Sequence, residues 1–204
     1  MRRKTTIADI AEELNLTPAT VSRALQNKKD ISEKTKKIVQ VTARRLDYYP
    51  NKIASSLRSG FTNVIGVLIP SAEHNFFGAV INGITSMASK NGYDVLIYQS
   101  NESTEFEIKG LHTFLSARVD GILASLAKNT FDYTHFSDIK ERKIPLVFFD
   151  RTNKKLGISS VVVDDCKGAY FATDHLIKQG YSRIAHITVP LHIDTLRTRL
   201  KGYK

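Results

Sequence analysis

The residues Thr17-Pro18-Ala19-Thr20-Val21-Ser22-Arg23 gather groups suited to reading a surface. Pro18 and Ala19 are short enough to let a backbone approach base edges and to meet a thymine methyl. Thr20 and Ser22 offer hydroxyls to phosphates, and Arg23 can donate two hydrogen bonds to a guanine. That is the chemistry of a helix lying in a major groove. The same residues also suit a plain three-helix bundle, with Thr17 and Thr20 as capping residues and Arg23 as a solvated charge. A second set lies farther on. Asn75-Phe76-Phe77, Asp150-Arg151 and Asp164-Asp165 follow apolar runs and combine hydrogen-bonding groups with aromatic faces, as a carbohydrate or heterocycle site does. The plainer alternatives are Phe76 and Phe77 as core, Asp164 as a helix cap and Asp150 paired with Arg151.

The elements that position the first set are three short helices. Ile7, Ile10, Ala11 and Leu14 fall on one helical face, with Thr6 as N-cap and Asp9 in a capping-box position, and Asn15 ends the helix. Thr17 caps a second helix whose first residue is Pro18, where the missing N–H costs nothing, with Val21 and Leu25 facing inward. A polar break over 27–30 precedes a third helix opening at Ile31-Ser32, whose Thr35, Val39, Ala43 and Leu46 face the first two; Tyr48, Tyr49 and Pro50 close it. The stretch 51–60, with Ile53 and Leu57 at i and i+4 among basic neighbours, is too short to be stable alone. It reads as a linker that becomes helical when held.

From residue 61 the pattern changes. Apolar runs at 64–69, 95–98, 121–125, 146–149, 161–163 and 184–188 alternate with amphipathic stretches at 76–90, 105–118 and 168–179, which predicts a parallel α/β sheet. Runs 146–149 and 161–163 leave no room for a helix between them, so the chain is expected to begin leaving the first sheet there. Ligands of such sheets bind beyond the carboxyl ends of the strands, where the second set of residues falls.

Composition bounds the function. The 204 residues are 42% hydrophobic and 25% charged, as in a globular protein. Residues 1–60 hold 13 Lys plus Arg against 6 Asp plus Glu, so most of the +10 net charge sits in under a third of the chain, a footprint for a polyanion. Cys166 is the only cysteine, which excludes an intramolecular disulfide framework and a cysteine zinc cage and suggests a reducing compartment. The basic start Met1-Arg2-Arg3-Lys4 is followed by Asp9, Glu12 and Glu13 where a signal peptide needs an apolar core, and no stretch is long and apolar enough for a membrane helix. A cytoplasmic location is expected. Phosphate-loop, dinucleotide, serine-hydrolase and zinc-protease motifs are all missing, and the six histidines show no metal spacing. No enzyme activity, cofactor or metal is expected. The rival to a DNA reader is a cytosolic sugar-binding module without a DNA role, and the basic head argues against it.

Four ordered blocks carry a resemblance: Thr5-Thr6-Ile7-Ala8-Asp9-Ile10-Ala11, Leu16 to Leu25 with its Thr17-Pro18-Ala19-Thr20-Val21-Ser22-Arg23, Ile31-Ser32-Glu33-Lys34-Thr35, and Leu46-Asp47-Tyr48-Tyr49-Pro50-Asn51 with Leu57. They resemble the head of the lactose-repressor (LacI) family. Val64-Ile65-Gly66-Val67, Val119-Asp120-Gly121-Ile122, Pro145 to Arg151, Val163-Asp164, Gly180 to Ala185 and Arg199-Leu200-Lys201-Gly202-Tyr203 are similar to that family's core. The resemblance implies a helix-turn-helix three-helix head (1–50), a hinge helix or linker (51–60) and a parallel-sheet, periplasmic-binding-protein-like effector domain (61–204).

It further implies a transcription repressor that binds a palindromic double-stranded DNA operator as a homodimer and answers to a small-molecule effector, a sugar or metabolite. Pro18, Ala19 and Arg23 would read bases, Thr6, Thr17, Thr20, Ser22 and Asn51 would lie near phosphates, and Leu57 would wedge into the central step from the minor groove. Asn75, Phe76, Asp150 and Arg199 would contact effector. Family members run on for roughly 130 residues past the point matching Lys204. The effector domain is therefore expected to be incomplete here, with an open sheet edge that favours aggregation.

Overall fold

Capping chemistry sets the helices of the N-terminal part. In this computed structural model, which describes residues 5–49, 60–73, 75–188 and 192–204, α1 spans Ile7–Glu13, α2 Pro18–Leu25 and α3 Glu33–Arg45. Thr6 and Asp9 form a reciprocal capping box, Thr17 accepts from Thr20 N, and Ser32 accepts from Thr35 N, so each helix start satisfies an otherwise orphan N–H. Asn15, Asn27 and Asp47 adopt left-handed backbone just past the three helix ends, a conformation Asn and Asp tolerate better than most side chains. Ile10, Ala11, Val21, Ala24, Val39 and Ala43 are buried together, and Leu25, Ile31, Leu46 and Tyr48 close around them. Lys36 is also buried, its amine reaching out 2.6 Å to Glu33 Oε1 while its stem packs inside.

The chain divides into two units, Met1–Ser55 and Ser56–Lys204. The second is built on a parallel sheet of order β2-β1-β3-β4-β5, with β1 at Val64–Ile69, β2 at Asp94–Gln99, β3 at Gly121–Ala124, β4 at Leu146–Phe149 and β5 at Ser159–Val161. Its helices are α4 (Asn75–Lys90), α5 (Thr104–Ala117), α6 (Thr134–Glu141), α7 (Asp165–Lys178) and α8 (Asp194–Tyr203). Side chains of a strand alternate between faces, and here both faces are buried. Leu68, Ile122, Ala124 and Phe148 meet Leu111 and Phe114 of α5 and Phe136 of α6, whereas Val67, Ile69 and Phe149 meet Phe77 of α4.

Helix α5 approaches this sheet closely because two glycines leave room. A Cβ on Gly66 would stand 2.7 Å from the Phe114 ring, and one on Gly110 2.7 Å from Tyr98 and 2.9 Å from Leu68. Helix α6 has no counterpart among the amphipathic stretches read from the sequence. Its eight residues bury only Phe136 and Ile139, too few repeats to stand out.

Two strand expectations are corrected. The strand expected at 161–163 begins earlier, at Ser159, and ends at Val161. It does not leave the sheet but pairs with β4 in parallel, Val147 with Ser159 and Phe149 with Val161. A single 3-10 turn, Lys154–Leu156, closed by left-handed Gly157, is enough to return the chain to the sheet. The expected strand at 184–188 does not form. Among the described residues no strand lies beside it to take its backbone hydrogen bonds; instead the Tyr203 hydroxyl donates to the Ile184 carbonyl at 2.7 Å and the His186 ring stacks on Tyr203 at 4.9 Å.

Candidate nucleic-acid interface and effector site

On the head, the N-terminal turn of α2 leaves Pro18 and Ala19 exposed, with Arg23 exposed one turn on and Thr20 and Ser22 partly covered. Thr17 Oγ1 lies 2.9 Å from Thr20 Oγ1 and accepts from Thr20 N, which fixes both hydroxyls at the helix start. Thr6 donates to Asp9 at 2.7 Å, and Ser22 accepts from Gln26 at 3.4 Å. The threonines are thus capping residues, as the bundle alternative holds, and a capped threonine still presents oxygen to solvent. Arg23 is not simply solvated, because it forms an ion pair with Asp30 in the α2–α3 connection. Nothing in the local pattern singled out Asp30. Asn51 and Leu57 lie outside the described residues.

In the second unit the turns after β1, β2, β3 and β4 converge at one end of the sheet. Asn75 and Phe76 open α4; Phe76 is half exposed and its ring meets Phe77 edge-on at 5.3 Å, while Phe77 is core and packs on Phe149. The Arg151 guanidinium stands 5.9 Å over the Phe77 ring. Its Nη1 donates to both Glu102 oxygens at 2.8 Å, and Glu102 also accepts from Lys128 N at 2.7 Å. Asp150 is left-handed, its carboxylate 3.9 Å from Arg151 Nε and its carbonyl accepting from Thr195 Oγ1 at 2.7 Å. Burial pushes the Asp150 carboxyl above its ordinary value, and the charges of Arg151 and Arg199 only partly offset this. Arg199 Nε donates to Asp165 Oδ1 at 2.7 Å and lines a cleft of about 550 Å³ together with Asp165, Ala172, Leu176, His186 and Tyr203.

Phe76 and Asp150 thus come to one end of the sheet, linked through Phe77 and Arg151, with the charge of Arg199 within reach of Asp150. Asp164 caps α7, as its plainer alternative had it. Three groups were not foreseen. Glu102 is the main partner of Arg151, and Ser125 holds a buried hydroxyl without a partner among the described residues. Glu107, fully buried, accepts from Ala127 N at 2.7 Å, Thr130 Oγ1 at 2.8 Å and His135 Nε2 at 2.9 Å, which fixes the loop after β3. Glu107 sits on the inner face of an otherwise amphipathic helix, the one signal that could have marked it. Among the described residues no cluster of three His, Cys, Asp or Glu could hold a metal, and no helix is long and apolar enough to cross a membrane.

Residues 6–51 match the family described as bacterial regulatory proteins, lacI family, and residues 62–204 match periplasmic binding proteins and the sugar-binding domain of the LacI family. The chain is 32% identical over 200 residues to the ribose operon repressor of Halalkalibacterium halodurans, covering 98% of this chain and 59% of that protein. It is 30% identical over 200 residues to catabolite control protein A of Priestia megaterium, covering 98% and 60%. A crystal structure of the Lac repressor dimer bound to operator and the anti-inducer ONPF superposes with a TM-score of 0.83 at 25% identity, over 98% of this chain and 61% of that one. The chain therefore spans about three-fifths of the length of these relatives. With a helix-turn-helix head, a parallel-sheet core and both family models matched in order along it, the chain belongs to the LacI family.

Proposed function

We propose that the chain is the DNA-reading and effector-sensing part of a transcription repressor that works in the cytoplasm, where operator DNA is found. The head, 1–50, binds one half of a palindromic operator; 51–60 forms the hinge; 61–204 belongs to the effector domain, and two chains pair to set the half-site spacing. The observation that carries this reading is the exposed N-terminal turn of α2, which presents Pro18 and Ala19 ahead of Arg23. Those three select bases, while Thr6, Thr17, Thr20, Ser22 and Asn51 approach phosphates and Leu57 wedges the central step. The Arg23–Asp30 pair holds the guanidinium in place before DNA arrives. Relatives named for a ribose operon and a repressor structure titled for its operator support the same role.

A small sugar or metabolite binds at the carboxyl ends of the strands, against Asn75, Phe76, Asp150 and Arg199, and changes the populations of hinge states. Selection of bound duplexes from a random library, at two salt concentrations, tests the DNA role. Recovery of a palindrome or of its half-site supports it; salt-sensitive binding without an enriched sequence refutes it.

A further inference from the structure

The helix that presents Pro18, Ala19 and Arg23 carries an acid at its side. Residues 1–60 hold 6 Asp plus Glu against 13 Lys plus Arg. Asp9 closes the capping box of α1, Glu13 pairs with Arg45 and Glu33 with Lys36, so these three serve the fold. Asp30 is different. It pairs with Nη2 of Arg23, and with the two side chains 45% and 56% exposed such a pair adds little to stability. Toward DNA the same carboxylate is unfavourable, because it repels phosphate.

The connection that carries Asp30 is pinned on both sides. Asn27 takes left-handed backbone and its N–H donates to the Ala24 carbonyl at 3.0 Å, while Lys28 N–H donates to the Arg23 carbonyl at 3.1 Å. Ile31 N–H donates to the Lys28 carbonyl at 3.3 Å, the Ile31 side chain packs on the core of the head, and Ser32 caps α3. Asp30 stands between these anchors. Backbone bonds and packing therefore bring its carboxylate to Arg23.

An arginine has five N–H donors in a rigid fork, and Asp30 engages only the Nη2 corner, which leaves a two-donor edge for the O6 and N7 acceptors of a guanine. Those acceptors are neutral. A phosphate, in contrast, would meet an arginine whose charge is already matched, beside a carboxylate that repels it. We propose that Asp30 is a specificity-determining residue, which makes Arg23 a base reader by fixing its fork and by penalising the phosphate alternative. This rests on the reading of α2 as the base-reading helix. Asp30 is a positioning residue that acts through Arg23, and specificity, being a difference of affinities, gains as much from the repulsive element as from the attractive one.

The experiment uses the full chain and a duplex that the unaltered chain selects from a random library. Anisotropy at several salt concentrations compares this duplex, the same duplex changed at the position where Arg23→Ala loses its preference, and a random duplex. Asp30→Asn is expected to bind the random duplex about three- to tenfold more tightly, with a log–log salt slope steeper by about one, since Arg23 is freed for a phosphate. It should also cut the base preference at the Arg23 position by about tenfold and leave other positions unchanged. Glu12→Gln removes the same charge from an exposed site on α1 and should keep that preference. In an Arg23→Ala background, Asp30→Asn should change the preference no further. Asp30→Ala serves if Asp30→Asn fails to fold. An unchanged preference at the Arg23 position, an equal loss in Glu12→Gln, or an effect that persists without Arg23 overturns the role of Asp30 and leaves the DNA role standing. If the unaltered chain enriches no sequence, the reading of α2 falls, and the role of Asp30 falls with it.

Discussion

Each of the two units of this chain is held together internally by hydrogen bonds, and the two sets differ in reach. In the head, described side-chain bonds join residues three or four apart: Thr6 with Asp9, Thr17 with Thr20, Ser22 with Gln26 and Ser32 with Thr35. The exceptions are Thr5 to the Leu46 carbonyl and the ion pairs Arg23–Asp30 and Arg45–Glu13. In the α/β unit the decisive bonds cross tens of residues. Asp120 accepts from Thr62 N and Asn63 N, Glu107 from Ala127 N and Thr130, and Glu102 from Arg151 and Lys128 N. A head assembled from local signals can be altered one helix at a time. A sheet whose strand ends are tied by carboxylates loses several loops when one carboxylate goes.

That contrast can be broken by mutation, beginning with its strongest element. Glu107→Ala strands the Ala127 N–H, the Thr130 hydroxyl and His135 in the interior, and should cost about 3–5 kcal/mol in denaturant unfolding; a loss below 1 kcal/mol would show that the loop after β3 is held by packing alone. Gly110→Ala pushes a methyl into Tyr98 and Leu68 and should cost about 1–3 kcal/mol; an unchanged midpoint would mean that α5 can shift outward at no cost. In the head, Arg23→Ala should weaken binding by about 1–3 kcal/mol at one operator position; a uniform loss over all sequences would reduce Arg23 to a phosphate contact. Thr17→Ala removes a single cap and should cost about 1 kcal/mol of head stability, a local effect that would contradict the comparison if it equalled that of Glu107→Ala.

The finest test is pH. Asp150 is harder to ionise in the fold than in the open chain, so the folded state holds the extra proton in the window above the unfolded value of about 4. Stability should fall as pH rises through that window, and Asp150→Asn should flatten this part of the profile while leaving the acid side nearly unchanged. An identical profile in the variant would remove Asp150 from the desolvated groups.

The same difference in reach decides what could be read beforehand. The capping box at Thr6, the cap and proline at Thr17-Pro18 and the apolar face of α1 need only neighbours along one turn, and all stand where the pattern put them. Strands β1 and β4 were legible as apolar runs, because burial on both faces leaves no polar alternation to confuse them. Strand pairing was not legible. Ser159 and Ser160 carry no apolar signal and enter the sheet only because β4 offers a free edge. The apolar run at 184–188 stays out for want of such an edge. Glu102 and Arg151 are 49 residues apart, and only the strand order that sets β3 between β1 and β4 brings their loops together. Asp150 could be nominated from its place after an apolar run, and its pairing with Arg151 from their adjacency, but not the burial that makes its carboxyl harder to ionise.

Gly66 and Gly110 have a mechanical consequence. A helix advances about 1.5 Å and turns about 100° per residue, so shifting α5 by one position would put Lys109 or Leu111 where a Cβ already falls 2.7 Å from Tyr98. The layer has one seating, in the way a key has one depth in its lock. Glu107 rides on α5, and Glu102 lies just before its first turn, so both carboxylates are fixed datum points for the strand-end site. The contrast is β5, every residue of which is exposed, and α7, which buries none of its own, so local opening should begin there before it reaches α5. Two missing methyl groups thus decide which layer of the molecule is the fixed one.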